Sequence, residues 1–259
     1  MILILEDQGE REYMEDRLAY EINIVPGFDY YAVFDGHGGE DVASYLKTHL
    51  GPVIKDTLTK ILTTYKTNVT IAHIIDVLHT SFEKINQQIP TCIALNTGST
   101  AVVVLKHCQH IWVANCGDSR AIMNNGINSS IELSSDHKPN RDDEQARIIR
   151  NGGFVAKAYP GDVFRVNGVL AVSRSIGDLM LQPHVTWKPE IKYFQKSKSN
   201  GYMFLATDGI WDVLSNNEVV DIVNKCILHG KYQHIGKEIV SLARKRGSSD
   251  NITFLITPL

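Results

Sequence analysis

Cysteine is scarce in this chain. Cys92, Cys108, Cys116 and Cys226 are the full set, and no two of them form a C-x-x-C pair. Cys108 and His110 are close neighbours, but no second pair completes a zinc site. Free, mostly buried thiols in a reducing compartment are the expectation. Positive charge is also in short supply. Lys and Arg number 26 against 29 Asp and Glu, a net charge of −3, which leaves no basic face for nucleic acid. The one basic cluster, Arg244-Lys245-Arg246, reads as a solvated helix end. Long apolar runs are absent. Met1–Leu5 is too short for a signal peptide and lacks its basic start. No stretch approaches the roughly 20 residues of a membrane span. A cytoplasmic or nuclear location, without membrane partners, is therefore expected. The sequons at Asn68, Asn128 and Asn251 read as chance matches. No repeat, low-complexity tract or Pro/Gly/Ser linker divides the chain, so residues 1–259 read as a single domain.

What is present is an ordinary globular composition, 43% apolar and 21% charged over 259 residues, enough to bury a core unaided. Ile2–Leu5, Arg17–Val25 and Tyr30–Phe34 read as strands, with Pro26-Gly27 as a turn. A helix is predicted just after His37, with Glu40 and Asp41 in its first turn, running through Val42, Tyr45 and Leu46. A longer one follows, with Ile71, Ile74, Ile75, Leu78, Phe82, Ile85 and Ile89 on one face. Ser99–Leu105, Ile111–Asn115 and Arg120–Met123 are β-branched and apolar. Asn140–Asn151 reads as a helix closed by Gly152-Gly153, and Tyr159–Pro183 as an irregular surface excursion. Tyr202–Thr207 is a strand. Ser215-Asn216-Asn217-Glu218 is a capping box that opens a helix to about Cys226. A helix over Ile235–Arg246 and a strand over Ile252–Ile256 complete the reading. Strands and helices come in runs, which points to antiparallel sheets covered by helices, an α+β layered domain, and argues against a doubly wound parallel sheet.

The chemistry concentrates in acidic residues beside strand-like runs: Glu15-Asp16, Asp35-Gly36-His37-Gly38-Gly39, Gly117-Asp118-Ser119-Arg120, Asp208-Gly209 and Asp250-Asn251. Strand ends are stiff mounts for a site. If these ends converge, their carboxylates cannot all stay ionised without a compensating cation. All-oxygen ligands favour Mg²⁺, Mn²⁺ or Ca²⁺ over zinc or copper. Taken singly, Asp118, Asp208 and Asp250 read as ordinary turn residues. The glycines packed around Asp35 and His37 instead imply close backbone approach to something. Other chemistries lack their signatures. No Cys is followed six positions on by Arg, and G-x-x-x-x-G-K, H-E-x-x-H, G-x-S-x-G and Gly-Asn-His-Glu are all missing. No EF-hand loop can be drawn.

These residues stand in an order that resembles the type 2C metal-dependent serine/threonine protein phosphatases. Gln8–Asp16 is similar to that family's opening motif, and Phe34-Asp35-Gly36-His37-Gly38-Gly39 to its most recognisable signature. Thr97–Ala101, Asn115–Ala121, Asp136-His137-Lys138-Pro139, Arg165–Gly168, Leu170–Asp178, Ala206–Asp212 and Ser249–Asn251 follow in register, so the resemblance spans nearly the whole chain. It implies a four-layer α-β-β-α sandwich, with two antiparallel sheets flanked by helices and a flap over about residues 136–185. It implies two Mg²⁺ or Mn²⁺ ions, with a third weaker site. Asp35 would bridge the pair, the Gly36 carbonyl would complete one ion, Asp208 and Asp250 would bind the other, and Glu15 and Asp16 would hold metal-bound waters. Asp118, with Asp208, would serve the third. A metal-bridging hydroxide would attack phosphorus in line, without a phosphoenzyme. Arg11 would bind the substrate phosphate, and His37 would protonate the leaving serine or threonine oxygen. Thr100, Ser173 and Asn251 would support the site, while Asp178 and Asp212 would be structural. A monomer acting on phosphorylated proteins is implied. The first motif starts only a few residues after Met1, earlier than is usual in that family, so an N-terminal extension would be missing if Met1 is an internal or artificial start.

Three other readings compete. A pseudophosphatase that binds phosphoproteins without cleaving them should lack a metal Asp, whereas Asp35, Asp208 and Asp250 are all present. A two-metal nuclease needs a basic groove that this composition does not offer. A structural calcium domain leaves Arg11 and His37 beside the acids unexplained.

Overall fold

The computed structural model of the chain describes residues 2–124, 129–196 and 201–259. The Asn128 sequon lies outside them. The chain opens with strands β1 (Leu3–Asp7), β2 (Arg17–Val25), β3 (Phe28–Phe34) and the short β4 (Gly36–His37). Helices α1 (Asp41–Tyr65), α2 (Ile71–Gln88) and the single-turn α3 (Thr91–Ala94) come next. Strands β5 (Gly98–Ser99), β6 (Ala101–His107), β7 (His110–Cys116), β8 (Arg120–Asn124) and β9 (Ser130–Glu132) precede α4 (Asp142–Arg150). Short strands β10 (Val155–Ala156), β11 (Arg165–Val166) and β12 (Ile176–Gly177) lead to β13 (Glu190–Gln195). The last elements are β14 (Tyr202–Ala206), α5 (Asp208–Trp211), α6 (Asn216–Leu228), α7 (Ile235–Lys245) and β15 (Ile252–Pro258).

Two five-stranded sheets dominate, in the orders β13-β7-β6-β3-β2 and β1-β15-β14-β8-β9, and every pairing within them is antiparallel. Their central strands read as continuous apolar runs because both faces are buried. Side chains alternate across a strand, so Tyr31, Val33, Val102, Val104 and Val113 meet Ala121, Met203, Leu205 and Leu255 between the sheets. The alternate residues of the first sheet, Tyr30, Ala32, Phe34, Val103 and Leu105, pack with Leu46, Leu50, Ile54, Leu78 and Phe82 of α1 and α2. Phe204, Ala206 and Phe254 of the second sheet pack with Val219, Val223, Ile239 and Ala243 of α6 and α7. This is the expected α-β-β-α layering. Truncating an inter-sheet residue such as Leu205, fully buried, to Ala costs about 2–5 kcal/mol.

Several expectations need correction. The first helix is the longer one, 25 residues against 18. It runs on through Pro52, because Leu46, Leu50, Ile54 and Leu58 hold its inner face on the sheet, and tertiary burial outweighs a local breaker. Residues 159–183 are not wholly a surface excursion. Ser173, Ser175 and Ile176 are buried, and β12 pairs with β5 beside the carboxylates. β13 carries a half-buried edge pattern without clear alternation, and β9 is three residues long; neither was readable as a strand. Of the cysteines, all free, only Cys116 and Cys226 are buried, while Cys92 and Cys108 are exposed. Arg244 is not solvated. It donates to the carbonyls of Ser248 and Asp250 at 3.0 and 2.7 Å and pairs with Asp7 at 2.6 Å. Between residues 136 and 185, Ile148, Val166 and Val185 form a small core of their own. The segment is rooted by the Arg120 guanidinium, which grips both Asp136 oxygens at 2.8 and 2.6 Å. Among the described residues, no helix is long and apolar enough to cross a membrane.

Candidate active site

The acidic motifs converge at one end of the two sheets. Asp35 follows β3. Its N–H donates to Thr100 Oγ1 at 3.1 Å, its carbonyl accepts from Thr100 N–H at 2.9 Å, and Thr100 Oγ1 lies 2.6 Å from Ser119 Oγ. One threonine thereby fixes both the Asp35 and the Asp118 turns. Asp208 opens α5, directly after β14. Asn251 ties the first and last motifs together. Its Nδ2 donates to the carbonyls of Gln8 and Tyr13 at 2.8 and 3.0 Å, and its Oδ1 accepts from Glu15 N–H at 2.8 Å. It is buried, which rules out its sequon as an accessible acceptor. Gly36 answers to a close approach, since a Cβ there would lie 2.5 Å from the Glu15 carbonyl oxygen.

Asp35, Asp118 and Asp208 each offer a carboxylate oxygen within 4.8 Å of the others. Burial comes first in raising the Asp35 carboxyl well above the usual range, followed by repulsion from Asp16, Asp118 and Asp250. Burial also raises Asp208, followed by Asp35, Asp118 and Asp212, with Lys138 opposing. Asp16, which accepts from Thr207 Oγ1 at 2.8 Å, is raised mainly by burial. Carboxylates crowded and buried in this way call for positive charge among them. All-oxygen donors at this spacing fit a hard divalent cation.

The remaining predicted residues lie around this core. Arg11 is exposed, and its Nη2 pairs with Asp250 Oδ2 at 2.8 Å, so that carboxylate faces a guanidinium and stands apart from the tight triad. Glu15 is half-buried. His37 Nε2 lies 2.7 Å from Asp178 Oδ2, and Ser175 Oγ also donates to that oxygen. Asp178, expected to be structural, is thus the hydrogen-bond partner that orients the imidazole. Lys138 was given no role by the sequence. It bonds Asp118 and lies 3.9 Å from Asp208 and 3.6 Å from Asp212, a cation among three acids. Its presence within Asp136-His137-Lys138-Pro139 was the signal available; nothing local marked Asp178 as the partner of His37.

Stacked antiparallel sheets lie between helices, with a carboxylate cluster at their common end that could hold a metal ion. The family model described as Protein phosphatase 2C matches residues 5–252. Protein phosphatase 2C 50 of Oryza sativa subsp. japonica is 34% identical over 268 residues, covering 88% of this chain and 68% of that protein. Probable protein phosphatase 2C 45 of the same organism is 38% identical over 257 residues, covering 96% of this chain and 83% of that protein. Against other plant relatives of similar identity, the chain spans little more than half their length, 53% in one and 55% in another. The crystal structure of a serine-threonine phosphatase 2C from Toxoplasma gondii matches the fold with a TM-score of 0.84 at 23% identity, over 98% of this chain and 93% of that one. The chain belongs to the protein phosphatase 2C family.

Proposed function

We propose that the chain hydrolyses phosphoserine and phosphothreonine in protein substrates with the help of Mg²⁺ or Mn²⁺. The observation that carries this reading is the meeting of Asp35, Asp118 and Asp208 oxygens within 4.8 Å. Asp35, the Gly36 carbonyl, Asp208 and Asp250 would hold two ions, Glu15 and Asp16 their waters, and Asp118 with Asp208 a third. Bound there, the ions supply an acidified water and screen the charge of the phosphate.

The chain's own groups account for the rest. Arg11, more than half exposed, exchanges Asp250 for two phosphate oxygens, which its planar fork matches. As water oxygen bonds to phosphorus in line, the bond to the serine or threonine oxygen breaks. That oxygen takes a proton from His37, and Asp178 steadies the imidazolium that donates it. No side chain becomes phosphorylated. The flap, rooted at Asp136, borders the site through Lys138 and Asp178 and is the part placed to read the substrate around its phosphate.

The test is phosphate release from a phosphothreonine peptide with Mn²⁺ or Mg²⁺, and with EDTA. Release that stops in EDTA and returns with metal is expected. A folded protein inert under every metal would overturn the reading in favour of a phosphoprotein-binding pseudophosphatase.

A further inference from the structure

A second cavity, of about 300 Å³, lies on the helix-covered face of the first sheet, remote from the carboxylates. It sits between the turn after β2, the C-terminal end of α1 and the first turn of α2. Three adjacent strands link it to the acidic end. β3 begins there with Phe28 and leads to Asp35, β6 ends there with His107, and β7 begins there with His110 and leads towards Asp118. At about 3.3 Å per residue, a strand of this length separates the two places by roughly 20 Å. No metal or phosphate residue proposed above lines the cavity.

Two buried polar atoms of its wall have no hydrogen-bond partner, Trp112 Nε1 and His107 Nδ1. Trp112 is 4% exposed. An indole N–H can only donate, so it calls for an acceptor. Both rings flank Phe28, with centroids 4.4 Å from it for His107 and 6.1 Å for Trp112. His110 lies 5.8 Å from Trp112 and is held by the Tyr193 hydroxyl at 2.6 Å from Nδ1. The walls are therefore flat and aromatic on one side, with Leu62, Val69 and Ile74 opposite. Lys66 stands exposed at the rim, and no acidic side chain lines the space. The capped N-terminus of the 18-residue α2 opens on it through Thr70 and Ile71, adding the positive end of a helix dipole.

We infer that this cavity is a binding site for a small planar carboxylic acid, its carboxylate accepting from Trp112 Nε1 and His107 Nδ1 and drawn by Lys66. Burial, then the charge of His110, lowers the His107 pKa, so near neutrality this imidazole is uncharged and carries one N–H, which the ligand fixes on Nδ1. The flat rings select a planar body, and the positive rim selects an anion. Ordinary pockets of this size take ligands of one or two rings.

The experiment follows the Trp112 indole N–H resonance of ¹⁵N-labelled protein in EDTA, assigned with Trp112→Phe, during titration with 2-naphthoate. A saturable shift of that peak is expected, with the Trp187 and Trp211 indole peaks unmoved. The amine analogue, 2-naphthylmethylamine, should give no saturable shift. Lys66→Asn removes the charge, and Asn enters the positive φ of 49° found there more readily than Lys does; an unchanged far-UV CD spectrum checks the fold. The substitution should weaken naphthoate binding by roughly fivefold, as loss of an exposed ion pair does. The inference is overturned if the Trp112 peak does not respond to naphthoate, if the amine shifts it equally, or if Lys66→Asn leaves the affinity unchanged. The readout needs no phosphatase activity, so it stands or falls apart from the proposed function.

Discussion

His37 Nε2 and Asp178 Oδ2 lie 2.7 Å apart although 141 residues separate them in the chain. The pair is lodged against Gly98, where a Cβ would fall 2.0 Å from the Asp178 oxygen and 2.5 Å from the histidine nitrogen. The histidine side chain is partly exposed and the aspartate almost wholly buried, so the carboxylate fixes the ring from beneath and leaves its other side towards solvent. In the proposed mechanism His37 is the proton donor, and a donor matters most when the leaving oxygen is a poor leaving group.

Asp178→Asn should therefore lower kcat on a phosphothreonine peptide by about 10²-fold, the scale of general acid catalysis, with KM little changed. On an activated aryl phosphate the loss should be several-fold smaller. Gly98→Ala should reproduce the pattern by parting the pair. Steady-state kinetics on the two substrates provide the check, and equal losses on both would remove Asp178 from the proton path.

Asp35 makes a different prediction, because its carboxyl is held up by burial and by its acidic neighbours. A raised folded-state pKa stabilises the fold below the unfolded value and loses that advantage as pH rises. The window opens near the ordinary value of 3.8 and reaches about 8, where Asp16, raised chiefly by burial, loses its proton. Metal-free protein should thus lose stability across this range, and Mn²⁺ should restore it. Asp35→Asn should flatten the decline, raise metal-free stability near neutrality by about 1 kcal/mol or more, and abolish activity. Denaturant unfolding in EDTA at several pH values measures it.

Lys138 is the internal cation of the cluster. Burial opposes its charge, but Asp118, Asp208 and Asp212 outweigh that and hold its pKa up. Lys138→Met should lower Tm in EDTA and widen the gain in Tm on adding Mn²⁺, as the ion takes over the charge the ammonium supplied. An unchanged gap would mean that ion and lysine do not share the acids.

Glu144 is the buried anion of the flap. Burial alone would raise its carboxyl, but hydrogen bonds from Arg174, Arg147 and Ser173 win and hold it at about 2. The stability it contributes is complete above its ordinary value of 4.5 and is lost as pH falls through about 2. Glu144→Gln should cost on the order of 3 kcal/mol at pH 7, because two arginines lose their anion, and should make the acid limb of the stability curve shallower.

The sequence disclosed the layers and the carboxylate motifs for one physical reason. A strand buried on both faces is apolar throughout, as in Tyr30–Phe34 and Tyr202–Ala206, and an acid at its end interrupts the run visibly. β13 escaped notice because an edge strand half-buried along its length shows neither a run nor an alternation. The Asp178–His37 pair, the Lys138 contacts and the anchoring of the Asp250 loop by Arg244 are tertiary. Each joins residues that no local pattern relates. The Arg11–Asp250 pair is of the same kind, with 239 residues between its members.

The strand nearest the end of the chain, β15, lies between β1 and β14 in the interior of its sheet, and Asn251 just before it ties down Gln8, Tyr13 and Glu15. During synthesis the ribosome releases Arg11, Glu15, Asp16 and Asp35 long before β15. Until that strand leaves the exit tunnel, β1 has no neighbour, β14 keeps an open edge, and the opening motif has nothing to close on. A nascent chain that has not yet delivered β15 therefore holds an unclosed site and open strand edges that can pair with its neighbours. The site closes in one step, when β15 slots between β1 and β14.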